Sequence, residues 1–203
     1  MATTTNYGWT TPDDTSLVKD GASAIRTLGS AIDTSLNTAL GTKKAGLVLL
    51  NTTSFSAVSS QSINNVFTST YKNYRIFINA KHAADADLTM RVRASGTDLS
   101  SANSYYYGRY YVGETSSLAA GSNNQTLDTS WTLNRVGTWS SHIVIDIANP
   151  QATEVTTASI FSSGGYLQVI GGSLNNNTTS YDGFTIITGG SMTGSVSVYG
   201  YNV

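Results

Sequence analysis

Apolar and polar residues alternate with a period of two along most of the chain. Residues 73–82 read NYRIFINAKH, with Tyr74, Ile76 and Ile78 on one side and Arg75, Phe77 and Asn79 on the other. Residues 87–95 read DLTMRVRAS, with Leu88, Met90 and Val92 opposed to Thr89, Arg91 and Arg93. This is the pattern of a strand with one buried face. Similar runs predict strands at 46–55, 60–67, 102–112, 125–133, 141–148, 154–162, 166–172, 182–188 and 193–202. Turn-rich stretches join them, among them Ala119–Asn124, Asn175–Asn177 and Gly189–Gly190. Gly171–Gly172 reads as a further hairpin turn. Pro12 and Pro150 are the only prolines, so nothing blocks the ladders. A run of strands with no helices between them predicts a mainly β protein, built as an antiparallel jelly-roll-like β-sandwich.

One segment has the helical period. Between residues 16 and 41, apolar side chains fall at Val18, Ala22, Ile25, Leu28, Ile32, Leu36 and Leu40. Asp13, Asp14 and Ser16 offer N-cap chemistry, Gly41 a stop, and Lys43 and Lys44 follow the negative end of the dipole. A stripe this narrow cannot hold a short helix by itself, so it packs on its own sheet or on copies of itself. Ile25 and Ile32 lie seven apart, with Leu28 in a d-like position, which in parallel dimers favours two strands. The arm before the helix is polar apart from Tyr7 and Trp9, two rings suited to a pocket on a partner; the alternative is a frayed terminus. Two parts are therefore expected: an arm and helix over 1–45, and a β-sandwich domain over 46–203.

Charge and composition narrow the functional classes. The 203 residues hold 11 Lys+Arg against 12 Asp+Glu, a formal net charge of −1. Only 11% are charged, against roughly 25% in an average domain. No basic field exists to draw in nucleic acid or an anionic membrane. No segment approaches the roughly 20 apolar residues of a membrane span, so no membrane insertion is expected. The opening MATTTNYGWTTPDD lacks the basic and apolar regions of a secretory signal. The absence of cysteine removes disulfides, thiol nucleophiles and Cys-based zinc sites together.

Catalytic chemistry finds little to hold. His82 and His142 show no metal-binding spacing and read as surface or interface residues. Asp85 and Asp87 offer two oxygen ligands where a calcium loop needs several. Asp146, Glu114, Glu154 and Asp182 are scattered rather than paired as a glycosidase requires. No metal, cofactor or catalytic residue is assigned, and the chain is expected not to be an enzyme.

The tyrosines say more. Seven of the 12 lie between Tyr71 and Tyr111, five of them in the stretch SYYYGRYYV. Tyr105, Tyr107 and Arg109 share one side of a strand there, and Tyr110 and Tyr111 extend the cluster. Tyrosine has an apolar body and a polar tip, which suits subunit interfaces, and its ring also stacks on sugar faces. The cluster reads as a subunit interface, as ordinary strand packing, or as a glycan site. Loop tips at Gly113–Asn124 and Asn175–Ser180 are secondary candidates.

The opening NYGWTTPDDTSLVKDGASAIRTLGSAIDTSL resembles the N-terminal segment of tail fibre and related appendage proteins of tailed bacteriophages, especially marine and cyanobacterial phages. The stretch from Ser59 to Val112 resembles the β-sandwich module that follows in such chains, and FTIITGGSMTGSVSVYGYNV resembles its final hairpin. The resemblance implies a virion protein, either a tail fibre or a tail, baseplate or neck appendage, assembled in the host cytoplasm. It implies attachment to another virion protein through the N-terminus, association as a homotrimer, and adhesion to a host surface glycan or protein receptor. It supplies no catalytic residues. A purely structural neck, head or baseplate part and a small glycan-degrading enzyme are the rival readings. The trimer departs from the dimer preference of the Ile/Leu seam.

Overall fold

The computed structural model describes residues 2–12, 17–41, 46–113, 118–123, 128–164 and 167–202. The chain divides into two compact units, one formed by the residues up to 45 and the other by Gly46–Asn202.

In the first unit, β1 (Ala2–Thr3) and β2 (Thr10–Thr11) form a small hairpin. It turns through Gly8, whose φ of 65° favours a residue without a Cβ. The helix α1 (Val18–Leu36) follows, and Asn37–Gly41 close it with a wider turn. Its N-cap is Leu17, which makes no side-chain capping bond. The N-cap candidates Asp13, Asp14 and Ser16, and the two lysines after Gly41, lie outside the described residues. No described helix is long and apolar enough to cross a membrane.

The second unit is a mainly β, antiparallel, jelly-roll-like sandwich. Its strands are β3 (Gly46–Ile63), β4 (Asn73–His82), β5 (Ala86–Ala94), β6 (Thr97–Asp98), β7 (Tyr105–Gly113), β8 (Leu118–Asn123), β9 (Trp131–Val136), β10 (Ser141–Ala148), β11 (Thr156–Gly164), β12 (Leu167–Asn175) and β13 (Gly183–Asn202). All pairings are antiparallel. The larger sheet runs β3–β13–β4–β10–β11–β12–β7–β8. The smaller runs β3–β13–β5–β9, with β6 on the edge of β5.

The two sheets share β3 and β13. The first part of β13 (183–188) pairs with β5, and the later part (192–200) pairs with β4. The register shifts between Ile187 and Met192. This corrects the reading of Gly189–Gly190 as a hairpin turn: the strand bends there and continues in the other sheet. Likewise 46–55 and 60–67 are not two strands; β3 runs unbroken to Ile63 and bends at Ala57, whose φ is 54°. Gly171–Gly172 is no turn either and lies inside β12.

The core fills from alternating positions. Tyr74, Ile76 and Ile78 of β4 meet Ile143, Ile145 and Ile147 of β10 side by side, under Leu88, Met90 and Val92 of β5. All nine are at most 1% exposed. Two polar staples cross the sandwich. The Tyr105 hydroxyl donates to the Leu99 carbonyl at 2.8 Å and accepts the Val92 amide at 3.1 Å. The Trp131 indole donates to the Leu174 carbonyl at 3.2 Å. Both rings are fully buried and meet edge to face, with centroids 5.6 Å apart.

His82 is also buried within the chain, at 1% exposure, which corrects its reading as a surface or interface residue. Its Nδ1 lies 3.4 Å from the Thr188 hydroxyl. Burial pushes its pKa below the ordinary value, against the Ala86 and Val136 backbone groups and the Asp85 carboxylate, which favour the charged ring. The fold therefore prefers the neutral form. Well above about pH 6.5 both folded and unfolded rings are neutral and the ring carries no penalty. Below that, the unfolded chain takes up a proton that the folded chain resists, so stability falls until pH has passed the depressed folded value. Urea titrations of wild type and His82→Gln across this window are expected to show the extra acid loss in wild type alone. Equal slopes would show that burial does not govern this ring.

Candidate functional site

The tyrosine-rich strand β7 presents two different faces. Gly108 keeps the ladder to β12 continuous from Tyr105↔Asn175 to Gly113↔Leu167, so alternation runs unbroken. Tyr105, Tyr107, Arg109 and Tyr111 point inward, and Tyr106, Gly108, Tyr110 and Val112 point outward.

Tyr105 therefore belongs to the core and is no contact residue: it is fully buried, holds both sheets, and burial pushes its phenol pKa well above the ordinary value. Tyr107, Arg109 and Tyr111 are half-buried beyond it. The Arg109 guanidinium lies between the two rings, 5.2 Å from the Tyr107 centroid and 5.5 Å from that of Tyr111, a cation–π stack. Its Nε and one terminal nitrogen have no exposed surface and no hydrogen-bond partner. Tyr110 does not join this group. It faces the other way and is 64% exposed.

The outward face of β7, β12 and β11 carries a contiguous exposed apolar row. Tyr110 pairs with Ile170, and Ile170 with Phe161, so the three side chains form one row across three strands. They are 64%, 61% and 50% exposed. Two residues along, the row is Gly108, Gly172 and Ser159; beyond it stand Tyr106, Leu174 and Thr157. Gly108 and Gly172 line a groove of about 470 Å³ together with Tyr106, Thr157 and Leu174 among others. The Tyr106 hydroxyl accepts a hydrogen bond from the Asn176 side-chain amide at 3.3 Å. None of the outward positions on these three strands carries a charge.

The same face changes character farther along the sheet. Arg75 on β4 holds Asp146 on β10 through two hydrogen bonds of 2.7 and 2.6 Å. The Tyr201 hydroxyl donates to Asp146 Oδ1 at 2.7 Å, and its ring lies under the Arg75 guanidinium. The hydrogen bonds from Arg75 hold the Asp146 carboxyl below its usual range. His142 stacks on Phe77 and meets the Asn79 side-chain oxygen at 2.9 Å. These polar groups are partnered, whereas the apolar row is not.

In the first unit, Tyr7 stacks on Trp9 with centroids 5.1 Å apart and is 72% exposed. The Trp9 indole donates to the Ser35 hydroxyl of α1 at 3.0 Å, so this ring is engaged within its own unit. Along the seam, Val18, Ile25 and Leu36 are 97%, 65% and 50% exposed, while Leu28 and Ile32 are half-buried. Of the loop candidate Gly113–Asn124, residues 114–117 and Asn124 lie outside the described residues; Leu118–Asn123 is strand β8 paired with β7, which corrects its reading as a turn and loop tip. Among the described residues no group of three or more His, Asp or Glu side chains could hold a metal ion.

Sequence reasoning placed the tyrosines on a strand but missed the Gly108–Gly172 pair. The two are 64 positions apart, and no local signal joins them.

No family model matches the sequence, and neither does any curated protein. Among solved structures, the chain is similar to the Caenorhabditis elegans galectin LEC-6, at 12% identity over 71% of this chain and 94% of that one, with a TM-score of 0.35. Peanut lectin crystallised with a nine-residue peptide matches at 10% identity over 76% and 89%, with a TM-score of 0.32. The CBM2 module of the evolved Dit of Lactobacillus casei BL23 phage J-1 matches at 8% identity over 71% and 69%, with a TM-score of 0.25. At these TM-scores nothing about what this chain binds follows from the likenesses.

Proposed function

We propose that the chain is a non-enzymatic virion protein of a tailed bacteriophage, a short tail fibre or similar appendage. Its first unit attaches to the particle and its β-sandwich adheres to the host surface. The observation that carries the adhesive role is the uncharged outward face of β11, β12 and β7, with Phe161, Ile170 and Tyr110 half or more exposed in one row. A chain of water-facing strands rarely leaves such side chains contiguous without a partner for them. The likeness of residues 6–36 to phage appendage N-termini supports the virion role, and the exposed Tyr7 is the ring available for attachment.

The helix seam supports self-association. Val18, Ile25 and Leu36 are exposed along a helix of 19 residues, and most helical stability in proteins comes from packing of the apolar face. Three copies would cover them in a homotrimer. Light scattering of the full chain is expected to give three times the chain mass, and Ile25→Asp is expected to reduce it to one. Proteomics of purified particles is expected to find the chain, and fluorescently labelled full chain is expected to stain the bacteria those particles infect. Absence from particles sinks the virion reading; presence without staining leaves a structural part and removes adhesion.

A further inference from the structure

Glycine is a poor choice inside a strand, since it loses the most chain entropy on ordering and brings no side chain to pack. Several strand glycines here have a local reason. A Cβ at Gly171 would stand 2.7 Å from the Gly108 carbonyl oxygen, and one at Gly200 2.6 Å from the Tyr71 ring. At Gly183 and Gly194 it would collide with the carbonyl oxygens of Ile63 and Asn79. Gly189 and Gly190 are as open, but they stand where β13 bends from one sheet into the other. Gly108 and Gly172 lie in an unbroken ladder and have neither reason. Neither has a positive φ; a Cβ at Gly108 would meet nothing within 4 Å, and one at Gly172 only the Ala158 carbonyl oxygen at 3.9 Å. They face each other across the ladder on the outward side. The fold would accept a side chain at both positions, and the sequence leaves both bare. A glycine inside a strand commonly marks a bulge, a bend or a close approach to the backbone from outside; the β7–β12 ladder has no register shift, which leaves close approach.

We propose that Gly108 and Gly172, with Ser159 next in register, are the floor of a saccharide site that takes a neutral oligosaccharide laid across the strands. This rests on the adhesion reading above. Tyr106 stands on one side of the floor and the Tyr110–Ile170 row on the other, so the apolar C–H faces of a sugar meet rings while its hydroxyls reach polar edges and water. The absence of charge from the outward positions of three adjacent strands selects an uncharged ligand. A carboxylate or phosphate entering over these three strands would lose water with no outward cation on them to receive it. In the same row, past Ser159, lies Asp146, whose charge Arg75 already neutralises and whose oxygens can accept sugar hydroxyls. At about 4.8 Å between strands, Gly108 to Asp146 spans about 14 Å, room for about three sugar rings.

The test applies the full chain to immobilised mono-, tri- and hexasaccharides, each in a neutral and a uronate-bearing series. The wild type is expected to be retained by the neutral tri- and hexasaccharides. Gly108→Val and Gly172→Val are expected to weaken retention about tenfold or more with an unchanged thermal midpoint, because both Cβ positions are open. Retention of the valine variants at wild-type strength overturns the groove and leaves adhesion standing. Retention on the uronate series alone overturns the ligand class. A wild type that stains bacteria yet binds no oligosaccharide overturns the saccharide site only; one that does neither overturns the adhesion reading as well. If the valines change the mass seen by light scattering instead of retention, the face is a contact between copies and the proposal falls.

Discussion

Gly194→Ala is expected to destabilise the sandwich by more than about 3 kcal/mol, whereas Gly172→Ala changes stability by no more than about 1 kcal/mol. Gly194 sits in β13, where that strand is paired on both sides, to Phe55 of β3 and to Ala80 of β4. A Cβ there would run into the Asn79 carbonyl oxygen and come within 3.0 Å of the Ala80 Cα. Both are backbone atoms of a central strand, so neither can swing away as a flexible side chain would. Relief requires β4 and β13 to separate, which lengthens ladder hydrogen bonds and opens the core around Ile78 and Val196. At Gly172 the added methyl points to open surface, and the narrower unfolded ensemble slightly favours folding. Urea midpoints of the two purified variants decide this. A near-neutral Gly194→Ala would mean that β4 and β13 are not held as close as described.

Trp131→Ala carries the second large effect, an expected loss of about 3–5 kcal/mol. Trp131 is the largest fully buried side chain and stands on β9 in the smaller sheet. Its indole reaches across to the Leu174 carbonyl on β12, and its ring meets Tyr105 of β7 edge to face. Truncation would remove the apolar burial, leave a cavity between the sheets and deprive the Leu174 carbonyl of a donor. Trp131→Phe keeps most of the ring and is expected to lose less than half as much. Equilibrium denaturation with near-ultraviolet dichroism would show both the stability change and any loosening of Tyr105. Equal losses for the two variants would place the whole effect in the missing hydrogen bond rather than in packing.

The sandwich class was legible because alternation is a local signal. NYRIFINAKH became β4 over Asn73–His82, with alternate positions buried as the pattern required, and the run predicted at 141–148 became β10 over Ser141–Ala148. The helix was legible for the same reason, through the three–four spacing of its seam. The tyrosine cluster was legible only in part. Alternation fixes which residues share a side of β7 but not where the covering sheet ends. Tyr105 therefore falls under it, Tyr107 and Tyr111 lie half covered, and Tyr110 faces out.

The sequence by itself determined period, parity and the shortage of charge, because each is a property of neighbours along the chain or of the chain's composition. The tertiary structure decided everything that depends on pairing between distant segments. It carried β3 and β13 through both sheets where two Gly residues looked like a turn. It buried His82, and it set Gly108 opposite Gly172. Register is chosen by the summed burial and hydrogen bonding of whole strands, so no short stretch of sequence contains it.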